Sequence, residues 1–167
     1  APGVGFPLAR LVAVICLATG AALDAAIGPH AGKGSGELSL VRSLLGGFRA
    51  GDVMLADALY CNYFLIAALL DRDVDVVFEQ NGSRITDFRR GWSLGVRDHI
   101  AFWPKPARPE WMTPEQYARM PPDIMVREAK VGHQVLVTTM LNARELSKAN
   151  LSALYARRWN VELDLRN

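Results

Sequence analysis

Apolar positions along the chain fall into short blocks separated by glycine, proline and charge, and each block predicts an element. Leu8 to Ala18 is apolar apart from Arg10, Thr19-Gly20 offers a turn, and Ala21 to Ile27 continues with only Asp24 charged. That pattern predicts a β-hairpin. One arginine ahead of an apolar run also imitates a secretory signal segment. Gly20 and Asp24 interrupt the run too early for a membrane span. Glu37 to Leu45 is apolar at helical spacing and meets Gly46-Gly47, which predicts a short helix. Asp52-Val-Met-Leu-Ala-Asp57 predicts a buried strand closed by an aspartate. Tyr63 to Leu70, apolar almost all round, predicts a core helix, and Val74 to Phe78 a second buried strand. Hairpin, helix, strand, helix, strand is the order of an α/β layered sheet.

Beyond Gln80 the pattern changes. Asn81-Gly82 marks a turn, and Arg84 to Arg90, His99 to Trp103, Asp123 to Lys130 and Gln134 to Met140 favour alternating or β-branched positions, so short strands are predicted. Six prolines between Pro104 and Pro122 break the middle into loops, with a helical turn over Pro114 to Met120. Arg84, Arg89, Arg90, Arg97, Lys105 and Arg108 interleave with Phe88, Trp92, Phe102 and Trp103. Such a mixture can bind phosphates and stack bases, and it equally describes a twisted sheet with charged edges. Ser147 or Asn150 then caps a closing helix that runs to Asn167.

Composition narrows the classes. With 167 residues, half of them apolar, the chain can build one core and is not a disordered segment. A formal charge of +2 permits a nucleic-acid partner without arguing for one. Cys16 and Cys61 form no Cys-x-x-Cys pair, and His30, His99 and His133 are scattered; buried thiols in a reducing compartment are expected and a zinc site is not. Gly28 to Ser35 has the wrong spacing for a phosphate loop, since Ile27 and Gly34 occupy the positions that require glycine and Ser or Thr.

Two features carry chemistry. Asp57 ends a core strand, where open α/β sheets place reactive groups, although it could instead cap the next helix. Tyr155, Arg158 and Glu162 stand at i, i+3 and i+7 and share a helix face, read either as a solvated stripe with an ion pair or as a catalytic carboxylate beside nucleic-acid contacts. In this order, and around a β-rich interruption, they resemble the DDE transposases of bacterial insertion sequences. The resemblance is to the group whose RNase-H-like core carries a β-strand insertion and whose last carboxylate lies in Tyr-x2-Arg-x3-Glu-x6-Lys. Tyr155, Arg158 and Glu162 match that signature, and its lysine would fall two residues beyond Asn167.

The resemblance implies an α/β, RNase-H-like mixed sheet with flanking helices, interrupted by a β-rich insertion and incomplete at both ends. Residues 1–80 would hold the first part of the core, 81–146 the insertion and return strand, and 147–167 the core helix with the last carboxylate. The family's first aspartate would precede Ala1, because Asp24 falls in the second hairpin arm; the open edge so left predicts poor solubility. Asp57 and Glu162 would be catalytic metal ligands for two Mg²⁺ ions, with Mn²⁺ as an alternative, and Tyr155 and Arg158 would contact DNA. Two ions about 3.5–4 Å apart activate the attacking oxygen and stabilise the leaving one in displacement at phosphorus, and hard carboxylate oxygens suit them. The expected partners are double-stranded DNA, as transposon ends and target, and a second copy in the active complex; no membrane is involved and the compartment is cytoplasmic. Strand cleavage and transfer by the complete protein is the leading reading. A DNA-binding remnant without chemistry, a nuclease of the same fold and a small exported protein are the others.

Overall fold

A computed structural model of the chain describes residues 8–32 and 34–159. They divide into two compact units, one within Ala1–Phe48 and one within Arg49–Asn160.

In the first unit β1 (Ala9–Ile15) and β2 (Ala22–Pro29) pair antiparallel, with Leu11 opposite Ile27 and Ala13 opposite Ala25. The chain reverses through Cys16, whose N–H donates to the Ala21 carbonyl at 2.9 Å, with Gly20 at φ 72. The first apolar run is therefore a hairpin arm. Helix α1 (Glu37–Ser43) packs on this hairpin and passes into a 3-10 turn at Leu45–Gly47, two residues earlier than the helical spacing predicts. Gly28 gives the helix its seat: a Cβ there would stand 3.0 Å from Leu40 Cδ2.

The second unit is built on six strands, β3 (Val53–Ala56), β4 (Asp75–Glu79), β5 (Trp92–Gly95), β6 (Asp98–Pro104), β7 (Asp123–Val131) and β8 (Gln134–Thr138), in the spatial order β3-β4-β8-β7-β6-β5. β3 and β4 run parallel and every other pair runs antiparallel. Three helices complete it: α2 (Tyr63–Leu70), α3 (Pro114–Arg119) and α4 (Lys148–Ala156). This is the mixed α/β sheet with flanking helices that the RNase-H-like reading expects. Strands from both sides of the expected 80/81 boundary share this one sheet.

Local chemistry accounts for the elements. α2 is apolar on every side because it is buried; Asn62 caps it, its Oδ1 accepting the Leu65 N–H at 3.0 Å. α3 carries a full capping box between Thr113 and Gln116, with Pro114 in its first turn. β4 is covered on both faces: Val76, Val77 and Phe78 all have no exposure.

Residues 84–90, predicted as a strand, form an irregular stretch that ends in a turn at 88–90. Their polar side chains satisfy the backbone locally: Gln80 Nε2 donates to the Arg84 carbonyl at 2.7 Å, Thr86 Oγ1 donates to Gln80 Oε1 at 2.6 Å, and Asp87 Oδ1 accepts the Arg89 N–H at 3.2 Å. The strand comes later, at β5. Gly91 lets β5 approach β6, because with φ 75 a Cβ there would lie 2.1 Å from the Ile100 carbonyl oxygen.

The β6–β7 pair carries two buried polar clusters, one on each face. Arg127 donates from Nε and Nη2 to the two carboxylate oxygens of Asp98, at 2.8 and 2.7 Å, and from Nη1 to the Leu146 carbonyl at 2.6 Å. His99 Nδ1 donates to the Arg90 carbonyl at 2.6 Å and its Nε2 lies 2.8 Å from Glu128 Oε2, while Glu128 Oε1 accepts Trp103 Nε1–H at 2.8 Å.

Cys61 is buried as expected, and that burial pushes its thiol up to about 12 from an ordinary 9, against the lowering effect of the Asn81 backbone and the Arg84 charge. A thiol pKa raised by folding stabilises the fold below pH 9 and loses that contribution as pH climbs toward 12. Native Cys61 is accordingly expected to resist iodoacetamide at pH 9 and to react once urea unfolds the chain, which peptide mass spectrometry reads directly. Equal labelling in both states would refute the burial.

Candidate functional site

The aspartate that closes β3 does not cap α2; Asn62 has that role. Asp57 is half-buried, and its Oδ1 accepts the Leu59 N–H at 2.8 Å, which fixes the carboxylate at the turn leaving the strand. The last bridged pair of the parallel ladder is Ala56 with Phe78, so Asp57 and Glu79 follow side by side at the carboxyl ends of neighbouring strands. Side chains alternate along a strand, which sends both carboxylates toward the face of Leu55 and Val77, away from Ala56 and Phe78.

Helix α4 lies on that face. Ser147 caps it, Oγ accepting the Asn150 N–H at 3.1 Å. Leu151 and Tyr155 pack with Val77, Ala129 and Leu136, and Leu55 and Leu154 close the cluster. Tyr155 is only 3% exposed, so the solvated-stripe reading of this helix face fails at its first member. Its ring is core.

The phenol nevertheless feels the carboxylates. Burial raises its pKa first, the Arg158 guanidinium opposes the rise, and the charges of Glu79 and Asp57 add to it. Arg158, half-buried, lies 5.5 Å from the Tyr155 ring centre and 4.4 Å from that of Trp159. Asp57, Glu79, Tyr155 and Arg158 thus share one neighbourhood at the carboxyl edge of β3 and β4. Glu162 lies outside the described residues. Among the described residues no group of three or more His, Cys, Asp or Glu converges to hold a metal ion. Hard oxygen donors that suit a divalent cation are present in Asp57 and Glu79.

Glu79 escaped the sequence reading because the second strand was ended at Phe78. The signal was available: a carboxylate closes each strand of one βαβ unit, at positions 57 and 79. Gln134 Nε2 donates to Glu79 Oε2 at 3.2 Å and holds it from β8.

The basic and aromatic insertion sorts into spent and unspent groups. Trp103 is 3% exposed, its indole N–H is committed to Glu128, and Arg84 stacks on it at 3.9 Å, so it is closed to a base. Trp92 is 58% exposed and meets Phe102 edge to face at 5.3 Å. Arg89 and Arg90 both lean on Asp87, at 2.7 and 3.5 Å; hydrogen bonds from Arg89 above all pull that carboxyl down to about 2. Lys105 donates to the Tyr117 and Met120 carbonyls and Arg108 to that of Met112, which makes them loop braces. No helix among the described residues is long and apolar enough to cross a membrane.

Comparison with known sequences gives one family. A family model described as a transposase DDE domain matches residues 3–167. No curated protein and no solved structure matches the chain.

Proposed function

Because the chain belongs to the transposase DDE domain family, matched over residues 3–167, we propose that it supplies catalytic and DNA-contacting residues for strand cleavage and strand transfer at transposon ends. The observation that carries this reading is the grouping of Asp57 with Tyr155 and Arg158 at the carboxyl ends of two parallel strands. Asp57, together with Glu162, would hold divalent cations, Mg²⁺ or Mn²⁺. Bound there, such ions supply charge to the oxygens that enter and leave phosphorus.

The protein's own groups do the rest. Arg158 offers a fork of N–H donors to a DNA phosphate near the scissile bond. Tyr155, sealed from solvent, acts on DNA through Arg158: packed between Val77 and Leu136, it fixes where the guanidinium stands. Water attacks first, and the freed 3′-hydroxyl then attacks a target phosphodiester, so one P–O bond forms as another breaks in each step. Two copies would hold two transposon ends.

The test uses protein expressed from the complete reading frame, incubated with DNA carrying the element's flanking ends. Nicking that requires Mg²⁺ or Mn²⁺, stops in EDTA and yields joined strand-transfer products is expected. Cleavage without joining would replace the reading by a nuclease. DNA binding with no cleavage under any divalent ion would leave the second reading, a DNA-binding remnant.

A further inference from the structure

A cleft of about 510 Å³ opens beside Glu79, lined by the Gln80 to Arg84 turn, Phe88, Arg97, and the β7–β8 hairpin with Lys130, His133 and Gln134. Three permanent cations face one carboxylate in its wall. Arg84 is partly neutralised, since its Nε lies 3.5 Å from Glu128. Among the described residues Arg97 makes no side-chain ion pair and neither does Lys130, whose Nζ donates to the His133 carbonyl at 2.9 Å. Carbonyls do not cancel charge. The two cations are also held in place: the Lys130 N–H donates to the Arg97 carbonyl at 2.8 Å, and Arg97 sits in a left-handed turn at φ 51.

Resting on the DNA reading above, we propose that this cleft is a phosphate-binding track, in which Arg97 and Lys130 neutralise backbone phosphates of the DNA strand that leads away from Asp57. Three observations converge on that occupant. The wall is cationic, its remaining polar groups are amides of Gln80, Asn81 and Gln134 that can donate to phosphate or sugar oxygens, and Glu79 belongs both to this wall and to the neighbourhood of Asp57. The track therefore begins where the chemistry would occur. Glu79, repelling phosphate at that junction, marks where the backbone must turn.

Salt dependence reads the number of phosphates that the protein neutralises. For duplex DNA the slope of log Kobs against log salt falls by about 0.9 for each phosphate no longer neutralised, so Arg97→Asn/Lys130→Gln should lower it by about 2. Asparagine is chosen because it tolerates a positive φ. The charge-matched control Arg119→Gln/Arg144→Gln removes exposed cations outside the cleft and should leave the slope at the wild-type value. Thermal unfolding of all three proteins checks the fold. A cleft variant that keeps the wild-type slope, or a control that falls as far, overturns the track while leaving metal-dependent cleavage untouched. Wild-type protein with no salt-sensitive DNA binding would end both readings together.

Discussion

Asp57→Asn is expected to lower metal-dependent strand cleavage by about 10³-fold or more while the fold persists. Asparagine keeps the size of the side chain, and its Oδ1 can still accept the Leu59 N–H that fixes the turn. What disappears is the negative charge through which a divalent cation would be held, a contribution of several kcal/mol to the transition state, at a factor of ten for each 1.36 kcal/mol. Glu162→Gln should match it. If the two carboxylates serve one site, the double variant will be hardly slower than either single one, since groups acting as a unit are strongly non-additive. Cleavage rates with DNA-binding isotherms separate this from lost affinity. An Asp57→Asn protein that cleaves normally would remove Asp57 from the chemistry, and a double variant showing multiplied losses would place Glu162 elsewhere.

Asp98→Ala is expected to destabilise the unit around the six-stranded sheet by about 3–5 kcal/mol, because it strands a guanidinium with no exposure and no counter-charge. Asp98→Leu/Arg127→Met should recover most of that loss, as removing both charges also removes the desolvation cost. Urea unfolding gives both values. A loss below about 1 kcal/mol for the single change would mean that water reaches Arg127. The effect should reach the candidate site as well. Arg127 also holds the Leu146 carbonyl, immediately before the cap of α4, so loosening it frees the helix that carries Tyr155 and leads to Arg158.

The same clusters mark the limit of what the sequence shows. Strand β3, helix α2, the return strands and a cap at Ser147 or Asn150, which the structure places at Ser147, could be read from periodicity and capping chemistry, since these are local signals. The Asp123 to Lys130 stretch reads as a strand, and nothing in its pattern says which of its charged positions meet water. Arg127 and Glu128 are buried, because the sheet is covered on both faces there and each charge found a partner about 30 residues away. Alternation predicts which residues share a face and does not say whether that face is wet. Tyr155 failed for the same reason. β5 was missed because four residues containing a glycine carry little pattern, and the preceding loop has more strand-forming character than the strand itself. Asp57 was legible because a carboxylate ending a core strand can be found from sequence; its neighbour Glu79 needed only one more residue in the second strand.

The position at which the return strand joins has a consequence for how such a protein can diversify. β8 pairs with β4 and not with β3, so everything from Gln80 to Thr138 hangs from one side of the sheet. Loops there can lengthen, shorten or change charge without displacing the strand that ends at Asp57. On the proposed function, chemistry and DNA preference would in this sense be modular: the surface proposed to follow the DNA could be exchanged while the strand that ends at Asp57 stays where it is.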